Sequence, residues 1–186
     1  LKGTVSDWHS DINQSIKKGA KTIVCEELPS EINEEVTYNK VENSSKALGH
    51  LASNFYGNPS EKLNLIGVTG TNGKTTTTTL LGEIFKASGR GTYVVGNIGD
   101  PITNYVDNAT ADEVFVTEIS SFQLETIHTF RLRAAAILNL TPDHLDRHLT
   151  MENYVNAKGR IFENQTAEDY EEKRWAPTLR NHVETG

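Results

Sequence analysis

The amino-acid sequence predicts an α/β protein: a small N-terminal α/β domain followed by part of a P-loop-type parallel-sheet domain. Three observations predict it. From residue 63 onward, continuous apolar runs alternate with helix-compatible stretches, as in a parallel sheet covered on both faces. The first run leads into Thr69-Gly70-Thr71-Asn72-Gly73-Lys74-Thr75, a glycine-rich loop opening a helix. Residues 1–62 carry shorter helix and strand signals of their own.

A length of 186 residues suits one domain, or a small domain plus part of another. A net charge of −7 argues against a broad nucleic-acid surface, so contact with a polyanion is expected to be local. No window reaches the length of a membrane span, and Leu1-Lys2-Gly3-Thr4 lacks the order of a signal peptide. The start without Met is expected of a processed chain or a fragment. Cys25 is the only cysteine, which excludes an internal disulfide and fits a reducing, cytoplasmic setting. No nucleic-acid or membrane partner is expected, and the oligomeric state stays open.

Within 1–62, Ile12, Ile16 and Ala20 have helical spacing, with Gly19 placed to end the helix. Thr22–Cys25 and Val36–Val41 read as strands. Ser44 is placed to cap a helix whose apolar stripe is Ala47, Leu48, Leu51, Ala52 and Phe55. Gly57-Asn58-Pro59-Ser60 reads as the boundary, giving domains 1–62 and 63–167. The second domain has strands at Leu63–Val68, Thr92–Val95, Val114–Thr117 and Ala134–Leu140, and a helix over Thr76–Ala87. The threonine run Thr75–Thr79 is poor helix material, at about 0.6 kcal/mol each relative to Ala, so packing or ligand must hold it. Residues 168–186 lose the pattern and are expected to form a poorly ordered tail.

The glycine loop is suited to a nucleotide phosphate. Gly70 and Gly73 let amide N–H groups approach it, and the helix N-terminus adds partial positive charge. Lys74 is placed to reach the β/γ-phosphates and Thr75 to put a hydroxyl on Mg²⁺. The strict G-x-x-x-x-G-K-[ST] pattern fails at its first glycine, where Val68 stands.

Ligands of open parallel sheets sit beyond the carboxyl ends of the strands. Polar groups follow all four apolar runs: the glycine loop, Gly96-Asn97-Ile98-Gly99, the stretch Glu118 to Gln123, and Asn139 with Thr141 to His148. Each also has a plain structural reading. Glu118 suits Mg²⁺ or simply ends a strand. Asn97 faces a ligand or forms a turn. Asp143, Asp146 and Arg147 serve a site or lace a short helix. His144 is a functional group or a structural one, while His9, His50, His128, His148 and His182 are expected to be structural. Lys158 continues the helical stripe of Met151, Tyr154, Val155, Ile161 and Phe162. An inward lysine is expensive unless paired or neutral, and burial makes its amine reactive. The alternative is a lysine snorkelling from the stripe edge. Gly159 should weaken this helix by about 1 kcal/mol.

These residues resemble the Mur ligases, ATP-dependent enzymes that add amino acids to the peptidoglycan precursor. The resemblance covers roughly residues 1–167 and rests on T-G-T-N-G-K-T, G-N-I-G, E-I-S-S-F-Q-L-E and D-H-L-D-R. The last three look like the D-glutamate-adding branch, which uses UDP-N-acetylmuramoyl-L-alanine and D-glutamate. The resemblance implies nucleotide binding by Gly70, Thr71, Asn72, Gly73, Lys74, Thr75 and Thr76. It implies catalytic roles for Lys74, His144 and Lys158, and Mg²⁺ held through Thr75, Glu118, His144 and Lys158. Lys158 matches the family lysine that is carbamylated by CO₂. Asn97, Ser120 and Gln123 would face the nucleotide-sugar substrate. Residues 1–62 look instead like the N-terminal domain of the diaminopimelate- or lysine-adding branch, so the chain reads as a hybrid. Family members continue beyond residue 167 and add a C-terminal domain, so these residues alone are expected to be truncated and incomplete for turnover.

Overall fold

The computed structural model describes residues 11–171. Leu1–Thr4, His9, His182 and residues 172–186 of the expected tail lie outside the described residues. The chain divides into two compact units between Phe55 and Tyr56. The Gly57–Ser60 turn therefore opens the second unit.

In the first unit, α1 (Ile12–Lys17) buries Ile12 and ends before Gly19, whose φ is +101°. Strands β1 (Thr22–Cys25) and β2 (Thr37–Lys40) pair in parallel, with Thr22 opposite Thr37 and Cys25 opposite Lys40. Cys25 and Val36 are buried. Helix α2 (Ser44–Phe55) departs from expectation in two ways. Its N-cap is Asn43, whose Oδ1 accepts from Lys46 N at 2.9 Å. Ser44 is instead the first helical residue, and its N–H and hydroxyl both donate to Glu26 Oε1, at 2.9 and 2.8 Å. The expected stripe is not buried: Leu48, Leu51 and Phe55 are 51%, 55% and 83% exposed.

The second unit holds β3 (Asn64–Thr69), α3 (Lys74–Ala87), β4 (Thr92–Gly96), β5 (Val114–Glu118), α4 (Ser121–Leu124), β6 (Ala134–Ile137), α5 (Leu145–His148), α6 (Met151–Gly159) and β7 (Tyr170–Glu171). All five strands are parallel, in the order β4-β5-β3-β6-β7. β5 is buried along its whole length, which is why its sequence reads as an unbroken apolar run. Leu65, Phe115, Ile119, Leu124, Leu132 and Ile161 form the core. Helix α3 lies close on β4: a Cβ at Gly82 would meet Val94 Cγ2 at 2.3 Å.

Three elements differ from their expected extents. β6 stops at Ile137 and not Leu140: Leu138 N still bonds Thr69 O, the end of β3, at 2.9 Å, but Asn139 O accepts from Thr71 N of the glycine loop at 3.0 Å. The helix expected from Thr76 begins at Lys74. Its threonine run is held by side chains: Thr78 is fully buried and its hydroxyl donates to Lys74 O at 2.7 Å. The tail expected from residue 168 begins as ordered structure, since Tyr170 and Glu171 pair with Ala134 and Ala135. Beside them Asp169 is buried against Arg131 (2.7 Å) and Arg133 (3.2 Å). Burial alone would push the Asp169 carboxyl up, but hydrogen bonds from Arg131 and Thr166 hold it well below the usual carboxylate range.

Candidate functional site

The strand order sets the carboxyl ends of β3, β5 and β6 side by side, and register places Glu118 opposite both Val68 and Gly96. The glycine loop leaves β3 here. Gly70 has φ +146°, and a Cβ on it would meet Asn139 N at 3.2 Å, so only glycine lets the loop lie this close to β6. Asn139 then clamps the loop. Its Oδ1 accepts from Asn72 N at 2.9 Å and its Nδ2 donates to Asn72 O at 3.0 Å. Gly73 takes a left-handed conformation at the N-cap of α3.

Two lysines converge on this loop. Lys74 Nζ donates to Gly70 O at 3.0 Å and Thr71 O at 2.9 Å. Lys158 Nζ donates to the same Gly70 O at 2.9 Å and to Thr69 Oγ1 at 3.3 Å. Lys158 is 2% exposed, so it faces inward and does not snorkel. Its position follows from α6, which is capped by Thr150 Oγ1 accepting from Asn153 N and turns Tyr154, Ala157 and Lys158 to the interior. Burial, reinforced by the Lys74 charge and opposed by Asp143, lowers the Lys158 amine to about 8.

Glu118 is 4% exposed at the end of β5. Its Oε2 accepts from Thr75 Oγ1 at 2.8 Å and its Oε1 from Asn97 Nδ2 at 3.1 Å. Gly96 makes this approach possible: at φ +106°, a Cβ there would lie 2.3 Å from the Glu118 carbonyl oxygen. Asn97 N then donates to that same carbonyl at 2.8 Å. A buried carboxylate beside a threonine hydroxyl is a hard oxygen donor set of the kind that suits Mg²⁺.

A cleft of about 60 Å³ opens beside the loop, room for a phosphate-sized group. It brings together Gly70, Lys74, Asn97, Ser120, Asp143, His144 and Lys158 from the residues read in the sequence, and adds Ser121 and Tyr154. Thr76 is exposed on α3. Gln123 lies outside the lining. It forms a capping box with Ser120: Ser120 N donates to Gln123 Oε1 at 2.9 Å, and Gln123 N donates to Ser120 Oγ at 3.3 Å. His144 is half-exposed, with φ +51° at the start of α5, and its ring nitrogen lies 3.4 Å from Asp143. Among the described residues no three His, Cys, Asp or Glu side chains gather into a metal cluster. Arg147 bonds Glu125 and stacks over Phe122, tying α5 to α4.

Two residues here carry no role of their own in the sequence: Ser121 sits inside a longer motif, and Tyr154 reads as part of an apolar stripe. The sequence reads His148 as structural. Its ring is indeed buried and meets Ser121 Oγ at 3.0 Å, and burial lowers its pKa. Arg160 closes the carbonyl end of α4, donating to Leu124 O, Glu125 O and Ile127 O at 2.6 to 2.8 Å.

The chain is similar to several known proteins. The chain is 60% identical over 105 residues to the UDP-N-acetylmuramoylalanine–D-glutamate ligase of Clostridioides difficile (strain 630), covering 56% of this chain and 23% of that one. It is 63% identical over 105 residues to the ligase of the same name from Alkaliphilus oremlandii (strain OhILAs), with the same coverages. The chain thus spans about a quarter of the length of these relatives. The solved MurF ligase of Thermotoga maritima in complex with ADP matches 99% of this chain and 44% of its own, with a TM-score of 0.58 and 24% identity, a likeness of fold. The Mur ligase middle domain profile matches residues 68–171, more than half of the chain, which takes in the loop, both lysines and Glu118; the chain belongs to the Mur ligase family.

Proposed function

We propose that this chain carries the nucleotide-phosphate site of an ATP-dependent carbon–nitrogen ligase of peptidoglycan precursor synthesis, acting in the cytoplasm. The acceptor would be UDP-N-acetylmuramoyl-L-alanine and the incoming amino acid D-glutamate, as in the names of the relatives that are about 60% identical. The observation that carries the reading is the meeting of Lys74 and Lys158 at the Gly70 carbonyl, with Thr75, the residue after Lys74, bonded to Glu118. The Lys74 ammonium and a helix N-terminus suit a transferring phosphoryl group, and Lys158 beside them suits the support of a metal once carbamylated.

In this reading the γ-phosphoryl of ATP passes to the L-alanine carboxylate. The amine of D-glutamate then attacks the acyl phosphate, forming the amide and releasing phosphate. Lys74 leaves its own loop carbonyls to hold the β/γ-phosphates, and the loop amides orient them. Thr75 and Glu118 would hold Mg²⁺, which when bound neutralises charge on the phosphate oxygens. Lys158, with an amine lowered to about 8, is suited to carbamylation and to supporting that metal beside His144. Asn97 and Ser120 would face the nucleotide-sugar, with Gln123 acting through its bond to Ser120.

The experiment is calorimetric titration of the chain with ADP and Mg²⁺ beside a Lys74→Ala variant. Binding in the parent that is lost in the variant is expected. A folded parent that does not bind ADP would overturn the reading.

A further inference from the structure

Thr71 has one hydroxyl hydrogen and two lone pairs. Its Oγ1 donates to Thr141 O at 3.1 Å and accepts from Thr141 N at 3.0 Å. The remaining contact is Tyr154 Oη, also at 3.1 Å. Since the Thr71 hydrogen is engaged on Thr141, the hydrogen in this third bond comes from Tyr154. Every bonding position of the Thr71 hydroxyl is then used, joining the glycine loop, the chain after β6 and helix α6.

Tyr154 is fully buried, and its ring centroid lies 4.8 Å from Lys158 Nζ, one turn further along α6. One side chain therefore touches both the loop and the inward lysine. We propose that Tyr154 is a positioning residue: its hydroxyl latches the glycine loop to the helix bearing Lys158, and so sets nucleotide affinity through the loop. The effect on affinity rests on the nucleotide reading above, whereas the latch itself does not.

Tyr154→Phe removes the hydroxyl and keeps the ring under Lys158. Tyr154→Phe, Thr71→Val and the double variant are compared by ADP titration with Mg²⁺. Tyr154→Phe is expected to weaken ADP about fivefold, the worth of one hydrogen bond. The double variant is expected to bind no more weakly than Thr71→Val alone, because the second change removes a bond already lost. Hydrogen exchange supplies a readout that needs no ligand. Exchange at the Thr71 and Asn72 amides, which bond Asn139, should quicken in Tyr154→Phe by more than at the core strands, with the melting temperature lowered by only about 2–4 °C. Unchanged exchange, or losses that simply add, would overturn the latch. If the parent fails to bind ADP, the nucleotide reading fails, and the exchange result still decides the latch.

Discussion

Lys158 shows how much one side chain can reveal about its surroundings. Its amine is lowered from the ordinary 10.5 to about 8, chiefly by burial. Below about 8 the ammonium persists in both the folded and the unfolded chain, and its desolvation opposes folding in full. Between 8 and 10.5 the unfolded chain binds the extra proton, so stability rises with pH. The melting temperature of the parent relative to Lys158→Met is therefore expected to climb across that window; a flat difference would show that the ammonium is not desolvated. The inward position of Lys158 was legible because its stripe neighbours are apolar at helical spacing. Tyr154 was hidden by the same logic. A tyrosine within an apolar stripe reads as core, and only the fold brings Thr71, 83 residues away, to its hydroxyl.

At the scale of elements, buried strands were the most legible, because a strand covered on both faces must be apolar throughout. Ends were less so. The Ala134–Leu140 run overshoots its strand because the chain exchanges sheet partners for loop partners at Asn139, a choice made by tertiary contact and invisible to hydrophobicity. The stripe of α2 failed for the opposite reason: periodicity states which face is apolar, not whether anything is there to cover it. Helix α3 offers a test in which packing and propensity disagree. Gly82→Ala gains about 1 kcal/mol of helix propensity. The new methyl would lie 2.3 Å from Val94 Cγ2, and overpacking costs about 1–3 kcal/mol. A lower denaturant midpoint is expected; a higher one would mean that β4 yields to the helix.

For the whole molecule, every residue placed at the site, from Gly70 to Lys158, falls in the second compact unit. A chain of residues 56–186 is expected to bind ADP within about twofold of the parent by the same titration. A loss of about tenfold would assign part of the affinity to residues 1–55. Convergence of the four strand ends was legible at this scale, since parallel topology gathers them at one edge. The sharing of Gly70 O was not, as no pattern in a chain announces that two distant cations meet at one oxygen.

That meeting has a consequence for how anions reach the molecule. The chain carries a net charge of −7, yet its site keeps two ammonium groups on one uncharged carbonyl. Beyond a Debye length, about 8 Å at physiological salt, the net negative charge is largely screened, and what remains of it repels an anion; the two cations act only near contact. Long-range steering therefore does not hasten the encounter, and the pull on an anion begins at the mouth of the site.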